Sequence, residues 1–324
     1  MKKERTDMYT IGIDLGGTNI KGGICDVNGN IVKKMSVPTD RNGTADQIVD
    51  DMVKLCVLLL RETGISNKEL EYIGIATPGT ADIEKGEMVY CNNLPFLRYP
   101  IIKEFKKRFG DVDVYIENDA NAAALGEAVC GGAKGCKNMV LITLGTGVGS
   151  GIIIDGKVYA GFNYSGAELG HMVIDVGGAP CTCGRKGCFE AYSSATALIN
   201  QTKAAMEKDS ASLMWDRCGG DINKADGQTS FRAADKGDES AKQVVREYIK
   251  GLACGIINII NIFQPQVLCI GGGLSNEGDN LFLPLMEVVE KEQYSRFCDK
   301  KTEIRMAELG NDAGIIGAAM LGRQ

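Results

Sequence analysis

The chain opens on short apolar runs of strand length. Segments 10–15, 20–27 and 31–37 are rich in β-branched residues, and Asn28-Gly29 between the last two is a hairpin signal, since both positions of such a turn favour positive φ. Apolar positions then move to helical spacing over 45–62, at Ile48, Met52, Leu55 and Leu59. A buried strand over 70–76 ends at Thr77-Pro78-Gly79. A loop containing Asn92-Asn93-Leu94-Pro95-Phe96, a helix over 98–109 and a strand over 112–116 follow. The alanine run after Asn118 and Asp119 predicts another helix. Strands over 139–144 and 152–154 flank a glycine-rich turn. Helices are expected at 194–208, at 238–263 with an apolar stripe from Val244 and Val245 through Tyr248, Leu252, Ile256, Ile259 and Ile260, at 278–292 and at 313–322. Strands are expected at 267–270 and 302–306, and the polar 210–230 region reads as an irregular insertion. Strands alternating with helices after an initial meander predict an α/β protein whose sheet is largely parallel with one antiparallel edge.

Three glycine turns stand at strand ends. The first, Asp14-Leu15-Gly16-Gly17-Thr18-Asn19, has Lys21 just beyond it. It reads either as a tight turn of the meander or as a loop whose backbone N–H groups a phosphate could approach. It is neither a Walker loop nor a dinucleotide fingerprint. The second, 145–151, repeats the plan of the first: strand, Gly/Thr turn, strand, hairpin. The third is Gly271-Gly272-Gly273. The repetition implies two similar domains with two phosphate-type turns facing each other across a cleft. Asp119 has two readings, a helix N-cap and a general base at the carboxyl end of a strand, where open α/β sheets place ligands.

The 168–190 stretch holds the only histidine, His171, together with Cys181, Cys183 and Cys188, three of the twelve cysteines. One imidazole and three thiols complete a tetrahedral structural zinc site, with no position left open for catalysis. Composition supports a reduced setting. Apolar residues make up 44% and charged residues 24% of the 324, and no run approaches the roughly 20 apolar residues of a membrane span. The basic start at 1–5 is followed by too short an apolar segment for a signal peptide, so a cytoplasmic location is expected. Scattered cysteines such as Cys25, Cys56, Cys254 and Cys269 are expected as small core residues. A formal charge of -6 argues against nucleic acid and membrane surfaces as partners.

Taken in order, Asp14-Leu-Gly-Gly-Thr-Asn-Ile-Lys21, Glu117-Asn-Asp-Ala-Asn-Ala-Ala-Ala-Leu-Gly-Glu127, Leu144-Gly-Thr-Gly-Val-Gly149, Glu168-Leu-Gly-His171 and Cys181-Thr-Cys-Gly-Arg-Lys-Gly-Cys-Phe-Glu190 resemble the ROK family of sugar kinases within the actin-like ATPase superfamily, and within it the zinc-containing bacterial glucokinases. The resemblance covers nearly the whole chain. It implies a two-domain α/β actin-like ATPase fold (ribonuclease H-like) with a cleft, a small domain of 1–119 plus 312–324 and a large one of 120–311 carrying the zinc loop. It implies ATP-dependent phosphorylation of a hexose, glucose to glucose 6-phosphate first, with Mg²⁺ and a structural Zn²⁺. Asp14, Gly17, Thr18, Asn19 and Lys21 would line one phosphate site and Thr146 and Gly147 the other, with Gly271, Gly272 and Gly273 near the adenosine. Asp119 would be the base. Gly79, Asn92, Asn93, Asn118, Asp119, Glu168, His171 and Glu190 would bind the sugar. The zinc ligands would be His171, Cys181, Cys183 and Cys188. Where the family often carries a tryptophan this chain has Phe96, so both asparagines of the 92–93 pair are retained. Alternatives within the resemblance are a kinase for N-acetylglucosamine, N-acetylmannosamine or another hexose, polyphosphate as donor, and a sugar-sensing regulator; we expect no DNA-binding module in the roughly nine residues before the first strand. A homodimer or homotetramer is expected. The zinc clasp is expected to act on sugar affinity, with little effect on ATP.

Overall fold

A computed structural model of the chain describes residues 8–324; the basic start lies outside them. The chain runs β1 (Tyr9–Leu15), β2 (Asn19–Cys25), β3 (Ile31–Pro38), α1 (Ala45–Thr63) and β4 (Leu70–Thr77). It continues through β5 (Thr80–Asp82), β6 (Glu87–Tyr90), β7 (Leu97–Tyr99), α2 (Ile101–Phe109), β8 (Asp113–Asn118) and α3 (Asp119–Cys130). The first sheet has the order β3-β2-β1-β4-β8, antiparallel between β1, β2 and β3 and parallel from β1 through β4 to β8. Strands β1 and β4 are buried nearly throughout, as expected of parallel strands covered on both faces. The alternation along β2 shows the two covers. Gly22 lies against Leu55 and Leu59 of α1, whereas Gly23 meets Ile315 of the C-terminal helix.

Two details of this first part of the chain differ from the sequence expectation. The 20–27 and 31–37 strands are joined by a five-residue connection in which Cys25 pairs with Ile31, and only Gly29 takes positive φ. The cause is Asp26, whose Oδ1 accepts the backbone N–H groups of Asn28 and Asn30 at 2.8 and 2.9 Å and so builds the turn from its own side chain. The stretch from 80 to 97, expected as a loop, and residues 98–99, expected to open a helix, form the three-stranded sheet β5-β6-β7, and α2 starts only at Ile101. Strands of three or four residues carry too little alternation to be read from pattern alone.

The chain then passes through β9 (Met139–Leu144), β10 (Val148–Ile154), β11 (Lys157–Val158), α4 (Glu190–Ser193), α5 (Ala195–Lys208), α6 (Met214–Arg217), α7 (Thr229–Ala234), α8 (Glu239–Phe263), β12 (Val267–Gly271), α9 (Asp279–Glu292), β13 (Glu303–Met306) and α10 (Ala313–Met320). The second sheet has the order β11-β10-β9-β12-β13. Two compact units result. One comprises Met1–Leu141, Gly151–Ala167 and Ala307–Gln324; the other comprises Ile142–Ser150 and Glu168–Met306. Among the described residues no helix is long and apolar enough to cross a membrane.

In the first unit α10 presses on β1, β4 and α3 with backbone nearly touching backbone. A Cβ at Gly317 would stand 1.7 Å from the Ala122 carbonyl oxygen, and one at Gly74 would stand 1.8 Å from that of Ala318. Such contacts cannot relax by rotating a side chain. Gly317→Val is therefore expected to destabilise the protein by at least about 3 kcal/mol, read as a lowered urea midpoint; an unchanged midpoint would refute this packing. Glu127, fully buried, holds the approach to α10 by accepting the backbone N–H groups of Gly132, Glu308 and Leu309 at 2.8, 3.1 and 2.9 Å.

In the second unit α8 is capped by Asp238, whose Oδ1 accepts from Ala241 N at 2.7 Å, and it ends at Gln264 in the left-handed region before Pro265. Its predicted stripe is buried at Val244, Tyr248, Leu252, Ile256, Ile259 and Ile260. The 210–230 region, expected to be irregular, instead folds into α6, a short 3₁₀ turn and the start of α7 around a small core of Met206, Met214, Cys218, Ala225, Ala233 and Ala241. Half of that core comes from outside the segment, which is why the local pattern looked polar. Of the scattered cysteines, Cys25, Cys56 and Cys269 are fully buried, and Cys254 is half-buried.

Candidate functional site

In the first unit, β1 and β2 pair Asp14 with Lys21, and the Lys21 ammonium lies 3.2 Å from the Asp14 carboxylate. The turn between them is closed by Gly16 N donating to Asn19 O at 3.0 Å and is pinned to the next crossing by Thr39 Oγ1, which donates to Gly16 O at 2.7 Å. Gly17, Thr18 and Asn19 are thus held at the tip, with Thr18 and Asn19 exposed. A residue that sequence reasoning missed joins them. Arg41 donates through Nε to Gly17 O and through Nη2 to Thr18 Oγ1, the latter at 2.8 Å. It sits 23 residues from Thr18 in a loop, so no local motif announces it. The guanidinium adds a second cation to the turn.

At the carboxyl end of β8, Asn118 is the N-cap of α3. Its Oδ1 accepts from Ala120 N at 2.9 Å and Asn121 N at 3.2 Å. Asp119 is the first helical residue, half-buried, with Oδ1 accepting from Ala120 N at 2.8 Å. The capping role thus belongs chiefly to its neighbour. Asn118 Nδ2 also donates to Gly79 O at 3.1 Å, tying the β4 end to the β8 end. Glu117 behind them is buried; desolvation raises its pKa, while hydrogen bonds from Asn121 and the Asn118 N–H oppose the shift. Asn92 and Asn93 are both exposed, and Asn92 Oδ1 accepts from Tyr90 Oη. Phe96 is buried against Tyr99 in the core.

Strands β9 and β12 lie side by side and deliver two glycine turns, both in the second unit. Gly272, at φ 88°, packs against the backbone of Leu144, and Ser275 Oγ closes the second turn by donating to Gly272 O at 2.7 Å. Thr146 is exposed at the tip of the first turn, and Gly147 follows it. Gly271 is buried at the end of β12, and Gly272 and Gly273 are exposed.

Also in this unit, the ligand atoms of His171, Cys181, Cys183 and Cys188 all lie within 4.8 Å of one another. Cys181 Sγ is 3.7 Å from His171 Nδ1, and Cys183 Sγ is 3.6 Å from Cys188 Sγ. A tetrahedral zinc with Zn–S bonds of about 2.3 Å separates its ligands by roughly 3.5–4 Å, so the donor set and its spacing fit that ion. Protein hydrogen bonds also shape the loop. Tyr192 Oη accepts from Ala179 N at 2.8 Å and donates to Asp175 at 2.6 Å, and Val173 bridges to Cys188. Burial pushes the Cys188 thiol up to about 12, whereas the Arg185 backbone N–H holds Cys183 below the usual thiol range. Metal binding must therefore displace protons. Glu168 is exposed and its carbonyl accepts from His171 N at 3.1 Å. With Nδ1 facing the thiols, the other ring nitrogen of His171 is left for a different partner.

Comparison with known proteins agrees with these observations. The sequence model described as "ROK family" matches residues 10–324. A glucokinase of Thermotoga maritima is 36% identical over 312 residues, covering 96% of each chain. Among solved structures, a ROK family glucokinase from Streptomyces griseus in complex with glucose and AMPPNP aligns with TM-score 0.79 and 32% identity, covering 98% of this chain and 99% of that one. The ROK hexokinase from Thermus thermophilus aligns with TM-score 0.82 and 30% identity over 97% of both chains. With the glycine turns, the Asn118-Asp119 helix start and the Cys₃His cluster in place along one chain, this protein belongs to the ROK family and has its actin-like ATPase fold.

Proposed function

We propose that the protein transfers the γ-phosphoryl group of ATP to a hexose, with glucose as substrate and glucose 6-phosphate and ADP as products. The observation that carries this reading is Asp119, set at the carboxyl end of a parallel strand and relieved of most helix capping by Asn118. Relatives at 36% identity are named glucokinases, and a glucokinase at 32% identity was solved with glucose and a nucleotide analogue.

In this reading Asp119 accepts the proton of the sugar hydroxyl as its oxygen attacks the γ-phosphorus, and ADP departs. Phosphoryl transfer asks the protein mainly for positioning and charge neutralisation. Lys21, Arg41 and the backbone of Gly17, Thr18 and Asn19 would supply that, as would Thr146 and Gly147, with Gly271, Gly272 and Gly273 along the adenosine. Mg²⁺ would neutralise phosphate charge, with Asp14 as the carboxylate placed to hold it through water. Gly79, Asn92, Asn93 and Asn118, and likewise Glu168, His171 and Glu190, would take the sugar hydroxyls. His171, Cys181, Cys183 and Cys188 would hold a structural Zn²⁺ that orients the imidazole. The protein is read as cytoplasmic and as a homodimer or homotetramer.

A kinase for an N-acetylated hexosamine is not favoured by these relatives. The test is a coupled ADP-release assay over glucose, mannose, N-acetylglucosamine and N-acetylmannosamine, with ATP or polyphosphate as donor. Glucose with ATP is expected to give the highest kcat/KM. No phosphorylation of any hexose would overturn the enzymatic reading, and a sugar-sensing regulator would take its place.

A further inference from the structure

Glu190, placed by the sequence among the sugar contacts, has a second task in the fold. Its Oε2 accepts the backbone N–H of Val148 at 2.9 Å, inside the 145–149 turn. A Cβ on Gly147 would lie 2.2 Å from the same oxygen, so the turn closes directly over the carboxylate. The other oxygen faces the metal cluster, with Thr182 Oγ1 at 3.4 Å and Cys181 Sγ at 3.7 Å. Two further ties join the turn to the chain that follows Glu190: Ala195 N donates to Gly145 O, and Thr196 Oγ1 donates to Thr146 O, both at 2.8 Å. That chain is itself immobilised. Phe189 is fully buried with its ring against Gly255 of α8, and Tyr248 Oη donates to Ser193 O at 2.7 Å.

Val148 is buried, so its N–H loses its acceptor if the carboxylate withdraws, and an unpaired buried N–H costs about 1–3 kcal/mol. The turn has a cheaper alternative, which is to move. We propose that Glu190 is a positioning residue for this turn, and that through it the Cys₃His module sets nucleotide affinity as well as sugar affinity. The inference rests on reading the 145–149 turn as a nucleotide site, and it revises the expectation that metal loss would spare ATP binding.

The test is calorimetric binding of MgADP to the full chain, zinc-loaded and zinc-stripped, with metal content and far-UV circular dichroism measured on each sample. Stripping wild type is expected to raise the MgADP Kd about ten-fold, in line with the loss of a supporting hydrogen bond beside a metal site. Loaded Glu190→Ala should show a similar rise while still carrying one zinc per chain, and stripping it should add little. Glu190→Gln, which keeps an acceptor oxygen, should fall closer to wild type and serves if the alanine variant does not fold. A wild-type Kd that changes less than about two-fold on stripping, or a loaded Glu190→Ala that binds MgADP as wild type does, would overturn the coupling while leaving the kinase reading intact. Failure of loaded wild type to bind MgADP at all would instead remove the nucleotide reading, and the coupling with it.

Discussion

Asp119→Asn is expected to lower kcat by about 10²–10⁴-fold, the usual contribution of a positioned general base, with glucose affinity nearly unchanged. The variant should fold. The N-cap oxygen belongs to Asn118, and an asparagine at 119 can accept from Ala120 N as the aspartate does. What asparagine cannot do is take a proton from the sugar hydroxyl. The measurement is steady-state turnover alongside glucose binding by calorimetry. A kcat within about five-fold of wild type would remove Asp119 from the role of base, and a collapse of glucose affinity would make it a binding residue instead.

The second large effect concerns the metal. Cys183 is the one exposed thiol of the three, so Cys183→Ser removes a ligand with almost no change in packing. We expect the variant to lose its zinc and, with it, about 3–5 kcal/mol of stability, a drop in Tm of roughly 10 °C. KM for glucose should rise because His171 loses the partner that fixes its Nδ1. Chelator should move wild type to the same Tm and leave the variant where it is. The sign with pH follows from the thiols. Because Cys188 binds its proton tightly, zinc affinity should fall as pH falls, when metal must displace more protons. A variant that keeps its zinc, or a wild type whose Tm ignores the chelator, would show that these four residues do not form the structural site.

Much of this was legible beforehand, for physical reasons that differ from place to place. The metal ligands could be read because a tetrahedral N/S site needs its donors close in space, and here they also lie close in sequence, with a single histidine to choose from. The glycine turns and the strand–helix alternation could be read because turn chemistry and periodicity are local. The 210–230 helices and the three-stranded sheet over 80–99 could not, since their cores are completed by residues from other segments. Arg41 was missed because nothing near it in the chain marks a loop arginine that reaches Gly17 and Thr18.

The sequence by itself determined which chemical groups this protein carries, the order in which they come, and the family to which they point. Only the tertiary structure decided how some of them are used. Asn118 and not Asp119 caps α3, because the backbone enters the helix one residue earlier than the alanine run alone suggests. Phe96, which stands where the family often has a tryptophan, is buried in the core. Glu190, which reads along the chain as the last residue of a cysteine motif, has its carboxylate against the 145–149 turn, next to Phe189 buried against α8. That last role depends on a contact between residues 42 positions apart, and no local pattern encodes it.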